Sequence, residues 1–315
     1  MKAAVNQQYG GPEVVRIAEV AQPVPGANEV LIRVRAAAVT SADARIRAAR
    51  FPRGFRVPAR LMFGIRRPRK HILGSSFSGV IEAVGPKVTG FEPGDEVCAM
   101  TGIKFGAHAD YVALPAKKVA RKPASVTHED AAGVLFGGTT ALFFLRDKAQ
   151  VGPGQSVLIN GASGAVGTNA IQLAKQFGAI VTAVTSGANR ELVTQLGADN
   201  VIDYTKVDLL SIAERFDVVL DTVGNLGIKT SRPLLTAEGV ALLAVADLGT
   251  ILTARGNVIT GTAPERAEDA KLLLNLIKEG TLTVVYDGVF DLDDIVEAHL
   301  RVDSGHKRGN IIVRP

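Results

Sequence analysis

The 315-residue chain has one cysteine, three methionines, no tryptophan and only 5% aromatic residues. A single thiol, Cys98, can close no disulfide within the chain and cannot build a multi-cysteine zinc site; it reads as buried packing rather than a reactive group. No run of about 18 uncharged apolar residues occurs, so no transmembrane helix is expected and no membrane is expected as a partner. The opening MKAAVNQQYGG lacks the cationic and apolar blocks of a secretion signal. These absences fit a cytoplasmic protein. No internal repeat and no low-complexity tract interrupts the chain. Carboxylates are missing from two stretches: none lies between Asp43 and Glu82, and none between Gly161 and Arg190.

What is present fits two domains. The chain is long enough for two substantial cores, and its net charge of +5 mildly favours anionic ligands. Residues 1–122 hold short strands, over 14–17, 30–34, 79–85, 91–97 and 109–113, separated by Gly and Pro as in a compact barrel-like domain. Residues 123–286 alternate strand with helix, at 157–159, 180–185, 201–203, 218–221 and 240–244, as in a parallel, doubly wound sheet. In the closing part, 287–294 read as a turn into a helix and 310–313 as a last strand.

The organising stretch is QSVLINGASGAVGTNAIQLAKQFG, residues 155–178. A buried strand leads into Gly161, Ala162, Ser163, Gly164, Ala165, Val166 and Gly167, and a helix follows, ended by Gly178. Ala162, Gly164 and Gly167 keep the A-x-G-x-x-G spacing. Gly164 lets backbone approach a pyrophosphate, Gly167 lets the helix sit against the strand, and the free amides at the helix start bind the phosphates. This is a dinucleotide site. About 20 residues further on, an NAD protein places an acid for the ribose hydroxyl. Here Thr185, Ser186 and Arg190 stand instead, a set that suits the 2′-phosphate of NADPH.

The acid-free stretch after Asp43 carries ten cations, from Arg45 to Lys70, with Phe51, Phe55, Leu61, Met62 and Phe63 among them. It reads as a solvated basic loop over a small apolar patch, or as an anion-attracting rim. Arginine with aromatics also suits single-stranded nucleic acid, but no RNA-binding signature accompanies it and nucleic acid is not an expected partner.

The segments MKAAV, GPEVV, NEVLIRV, ILGSSFSGVIEAVG, GFEPGDEV, LFGGTTAL, GASGAVG, LGADNVIDY, FDVVLDTVG and SGHKRGNIIV together resemble the medium-chain dehydrogenase/reductase superfamily, and most closely its zinc-free quinone oxidoreductase branch. The resemblance covers nearly the whole chain in order. It implies an α/β protein with a GroES-like β-rich catalytic domain, residues 1–122 completed by 287–315, and a Rossmann NADPH-binding domain at 123–286. It further implies Tyr204 beside the adenosine phosphate, Thr140, Thr222 and Val223 along the cofactor cleft, Val245 near the nicotinamide, Asn310 closing the cleft, Asp43 as the catalytic-domain aspartate near the nicotinamide, and a homodimer.

Departures from the zinc-dependent relatives are informative. Their C-x-x-D is Thr40-Ser41-Ala42-Asp43 here, and their G-H-E is Gly74-Ser75-Ser76. Hydroxyls are poor zinc ligands beside thiolate and imidazole, so no metal site is expected and a Lewis acid for a simple carbonyl is missing. A quinone or an α,β-unsaturated carbonyl stabilises its own developing charge, and Phe51 stands where some relatives carry a tyrosine acid. The expected function is a zinc-independent NADPH-dependent reductase of quinones or enones. The alternative is an NADPH-binding redox sensor or RNA-associated protein without turnover.

Overall fold

The computed structural model describes residues 1–315. Its longest strand, Glu29–Val39, shows how the chain builds the first sheet. Val30, Ile32 and Val34 point inward while Arg33 and Arg35 point to solvent, and from Ala36 to Val39 both faces are covered. The small side chains of Ala36 and Ala38 allow a helix, His128–Leu142, to lie on the outer face through Ala132. The sheet has seven strands, Tyr286–Asp291, Asn310–Arg314, Glu29–Val39, Ser76–Val84, Glu96–Met100 and Val119–Arg121 in order, with Tyr111–Pro115 also paired to Glu29–Val39. It encloses a core around Ile32, Phe77, Ile81 and Leu114.

The second sheet has six parallel strands, Asn200–Asp203, Ile180–Thr185, Ser156–Asn160, Phe216–Asp221, Leu235–Leu243 and Val258–Thr260 in spatial order. The first strand in sequence therefore lies at the centre, and the chain winds outward in both directions from it. This order creates a crevice at the carboxyl ends of the central strands. Strands buried on both faces read as continuous apolar runs, which is why VLI, IVTAV and VVL were legible as strands.

Some local expectations change. Residues 287–291 are not a turn: Tyr286–Asp291 is a strand, a short 3₁₀ turn follows at Leu292–Asp294, and the helix is Ile295–Asp303. YDGVFD has weak strand propensity, and its pairing comes from Asn310–Arg314, which lies parallel beside it. Residues 91–95 form a turn rather than strand, because Asp95 accepts the Glu92 amide at 2.9 Å and Gly94 sits at φ 96°. The first strand, Lys2–Asn6, went unread; it pairs with Val15–Glu19.

The returning carboxyl terminus is fastened to the first sheet by backbone and charge. Ile311, Ile312 and Val313 pair with Val39, Ala38 and Ala37. Asp303 takes Arg47 at 2.5 Å and Arg50 at 2.9 Å. Arg47 is wholly buried, so the basic stretch is not uniformly solvated as expected. Beside it His299 is also wholly buried, with no hydrogen-bond partner on either ring nitrogen. Desolvation, then the neighbouring His108 and Arg47, hold its pKa well below the usual value.

With its folded pKa depressed, His299 is neutral in both states above the unfolded pKa and leaves stability there unchanged, but it is a liability below it. The unfolded imidazole gains a proton below about pH 6.5 while the folded one does not. Stability should therefore drop by up to about 1.4 kcal/mol per pH unit as pH falls below that point. Urea unfolding at pH 7.5 and 5.5 is expected to show this drop in the wild type and a smaller one in His299→Gln. An equal drop in both would assign the acid sensitivity to other groups.

Candidate active site at the glycine loop

The strand Ser156–Asn160 ends at Gly161, whose φ of 83° turns the chain sharply towards the helix Ala165–Gln176. A Cβ on Gly167 would lie 2.3 Å from the Gly161 carbonyl oxygen and 2.6 Å from Ala162 Cα, so no other residue fits there without moving backbone. Gly164 differs. It has an ordinary φ of −80°, and the one atom near its Cβ position is the Gly161 oxygen at 3.4 Å. Nothing in the fold requires glycine at 164; the space it leaves lies at the amino end of the helix. There the amides of Ala165 and Val166 find no acceptor in the chain. Open space beside unpaired amides at a helix N-terminus is the geometry that could cradle a phosphate.

The predicted cleft residues gather around this loop. Thr185 Oγ1 donates to Ser163 Oγ at 3.0 Å, and Asn189 Nδ2 donates to Ser163 Oγ at 3.1 Å and to Ser186 Oγ at 3.3 Å. The Tyr204 amide bonds the Thr185 carbonyl at 3.2 Å, and its ring is half-exposed. Thr222 Oγ1 donates to the Asn160 carbonyl at 2.8 Å, while Thr222 and Val223 crowd Gly161. Val245 packs on Gly224. Thr140 lies on the helix His128–Leu142, which Gly137 brings against the loop: a Cβ there would sit 2.2 Å from the Ala165 carbonyl oxygen.

Two predicted positions stand differently from their expected roles. The Asn310 side chain does not face the loop; it donates to the Val285 carbonyl at 3.1 Å. Its neighbour makes the closing contact, since the Gly309 amide donates to the Ser163 carbonyl at 2.8 Å. Arg190 is exposed and donates to the Val201 carbonyl at 3.1 Å, along the next strand. The acid-free gap in sequence is also not acid-free in space. Asp203, from the third strand, approaches Gly187, with its Oδ1 held by the Thr205 hydroxyl at 2.7 Å and amide at 3.0 Å. Those bonds keep its pKa below the usual carboxylate range.

Sequence reasoning missed several residues here. Asp221 is wholly buried at the end of the fourth strand in this domain. It accepts Asn160 Nδ2 at 2.9 Å and the amides of Val223, Gly224 and Leu226, so it welds the loops on both sides of the crevice. Burial raises its pKa, against those hydrogen bonds. Arg308 reaches across from the carboxyl-terminal segment to the Ala188 carbonyl at 3.4 Å. Lys307 donates to the Gly309 carbonyl at 2.5 Å, and desolvation pushes its pKa down to about 8, with Asp287 acting the other way. The only sequence signal for these was the cationic HKR before Gly309.

Across the cleft, Asp43 is wholly buried and caps its own helix, Ser41–Arg47. Its Oδ2 accepts the Thr40 amide at 2.8 Å and hydroxyl at 2.6 Å, and its Oδ1 accepts the Gly74 amide at 2.9 Å. Both oxygens thus hold together the two segments that carry zinc ligands in zinc-dependent relatives. Thr40 is spent on this cap, and no three His, Cys, Asp or Glu side chains converge anywhere in the chain. The donor set does not fit a zinc ion. A hollow of about 250 Å³ between Ser41, Ala44, Arg45, Arg50, Val302 and Asp303 shares no residue with the glycine loop.

This geometry was compared with known proteins. The alcohol dehydrogenase GroES-like domain family matches residues 26–124, and the zinc-binding dehydrogenase family matches residues 196–313. The 2-methylene-furan-3-one reductase of Solanum lycopersicum is 33% identical, with 100% of this chain covering 79% of that protein. The chain belongs to the medium-chain dehydrogenase/reductase superfamily, in its quinone oxidoreductase-like branch. The NADPH-dependent alkenal/one oxidoreductase of Arabidopsis thaliana is 30% identical over 100% of this chain and 80% of its own. The quinone oxidoreductase structure from Coxiella burnetii superposes with a TM-score of 0.89 at 29% identity, over 100% of this chain and 99% of that one. Membership of this reductase family makes the chain an oxidoreductase and sets aside the reading as a binding protein without turnover.

The two glycines separate fold from ligand. Gly167→Ala is expected to lower stability by about 1–3 kcal/mol through overpacking. Gly164→Ala should leave the melting temperature within about 2 °C yet weaken dinucleotide binding at least roughly tenfold, because the methyl fills the cradle. Thermal melts and cofactor titrations of both variants check this; a Gly164→Ala protein that binds as the wild type would remove the cradle from 164.

Proposed function

We propose that the chain is an NADPH-dependent, zinc-independent reductase of quinones or α,β-unsaturated carbonyl compounds. One observation carries the reading: the space at Gly164 and the free amides behind it open beside the hydroxyls of Ser163 and Ser186 and the Asn189 amide, with Arg308 reaching the Ala188 carbonyl next to them. The relatives' names support the substrate class.

The residues present fit a dinucleotide. Ala165 and Val166 amides would hold the pyrophosphate, with the helix dipole behind them. Ser186, Tyr204 and Arg308 would line the place for a 2′-phosphate, and the exposed Arg190 would join them by releasing the Val201 carbonyl. Asp203 is the opposing charge, but its Oδ1 is committed to Thr205 and Lys206 lies 3.9 Å from its Oδ2. When bound, the nicotinamide supplies the hydride. The chain positions it. Val245 and Thr222 wall the crevice, and Asn160 and Asp221 keep its loops in register. Asp43 acts as a positioning residue, since its two oxygens already accept three hydrogen bonds across the opposite wall. The imidazole on that wall is not a free proton donor: His108 Nε2 is bonded to the Ala38 carbonyl at 3.1 Å. An acceptor whose charge spreads over its own π-system, and which water can protonate, is the one such a site can reduce.

Two measurements test this. NADPH oxidation should be fast with a panel of quinones and enones, slow with simple aldehydes, and unchanged after chelator treatment. Bound NADPH without turnover on any acceptor would sink the assignment, as would stoichiometric zinc by elemental analysis. Arg308→Ala and Arg190→Ala should each weaken NADPH binding about 10- to 150-fold, the value of one charge-assisted contact, and leave NADH binding nearly unchanged. Equal losses for both cofactors would reduce either arginine to a structural role, and a wild type preferring NADH would overturn the cofactor choice.

A further inference from the structure

The helix Arg56–Phe63 presents its apolar side to solvent. Its inward residues are Ala59, which is buried, and Phe63, whose ring stacks on Phe51 at 5.9 Å. Val57, Leu61 and, just past the helix, Ile65 recur every fourth residue on the outside. They are 68%, 56% and 61% exposed, with Met62 beside them. An ordinary surface helix does the reverse.

Cations surround this stripe. Arg53, Arg56, Arg66, Arg67, Arg69 and Lys70 are all exposed, and none has a carboxylate within ion-pair distance. No acid occurs from residue 44 to 81, and Arg53 lies near Asp247. The Leu248 amide bonds the Arg53 carbonyl at 3.0 Å, which brings the helix Leu248–Thr253 alongside; its Ile251 and Leu252 are exposed as well.

We infer that residues 53–70 dock the protein on an anionic lipid surface. Exposed aliphatic side chains rimmed by unpaired cations match a hydrocarbon layer beneath negative headgroups. A nucleic acid would need rings to stack on, but Phe51, Phe63 and Phe105 pack on one another at 5.9 and 6.1 Å. A second copy would bring six unpaired cations against six. No helix of the chain is long and apolar enough to cross a membrane, so the contact lies on the surface. On the substrate reading proposed above, docking would present the enzyme to acceptors that partition into lipid; the docking itself does not depend on that reading.

The test is co-sedimentation of the full chain with phosphatidylcholine vesicles, with and without about one-third phosphatidylserine, at about 0.1 M salt, where the screening length is about 10 Å. Binding is expected to the anionic vesicles alone. Arg66→Ala/Arg67→Ala/Lys70→Ala should weaken it roughly 100-fold, at about fivefold per cation, and Val57→Ser/Ile65→Ser roughly tenfold. Both variants should keep the wild-type melting temperature and wild-type turnover with a water-soluble acceptor. Failure of turnover in the wild type would bear on the function and leave the vesicle result standing. Binding to neither vesicle, equal binding to both, or full binding by the triple variant overturns the inference. So does displacement from vesicles by a single-stranded oligonucleotide at equal charge, which would make the surface a nucleic-acid site. A dimer that Val57→Ser/Ile65→Ser dissociates, without vesicle binding, would make it a subunit interface.

Discussion

Backbone-to-backbone approach at the glycine loop is the constraint on which the molecule depends. Gly167 seats one helix on the end of the central strand, and Gly137 seats a second helix on the first. The second helix, His128–Leu142, also covers the outer face of the first sheet at Ala36 and Ala38. Three layers therefore meet through positions where a methyl group has no room. Because that contact is rigid, the space at Gly164 is a defined space, and the free amides behind it point to one place.

The carboxyl-terminal segment closes the same seam from the other side. Its strand joins the first sheet where Ile311 pairs with Val39, and two residues earlier in the chain its Gly309 amide meets the Ser163 carbonyl of the second. The crevice beside the glycine loop is bounded by both sheets at once, and Arg308 reaches the Ala188 carbonyl there because Gly309 is held against Ser163. Buried polar groups follow this division of labour. Asp221 and Asp43 are desolvated, yet each accepts several hydrogen bonds that tie two loops together on opposite walls. His299 and Arg47 are buried with donors or acceptors unmet. Such groups are costly to bury, and the ion pair to Asp303 offsets part of that cost for Arg47 alone.

Legibility followed how local the signal was. The strand–glycine–helix unit at 156–176 was readable because spacing, apolar run and turn chemistry all lie within one segment. The alternation of strand and helix through 123–286 was readable for the same reason, as was the absence of thiolate and imidazole at Thr40 and Ser75. The edge strand Tyr286–Asp291 was not, since its partner is remote and its own residues are polar. Asp203 was hidden too: it enters the Ser186 pocket from the neighbouring strand, and proximity in sequence says nothing about it.

Composition and motif by themselves determined the family, the two kinds of sheet and the strand–glycine–helix unit, because glycine spacing and apolar runs act through contacts a few residues apart. Where the charged side chains around that unit point was decided by tertiary structure. Arg190 lies along a strand, Arg308 arrives from more than a hundred residues away, and Asp43 spends its carboxylate on Gly74. Those hydrogen bonds join separate elements, and the Arg308 contact exists only once both sheets are packed.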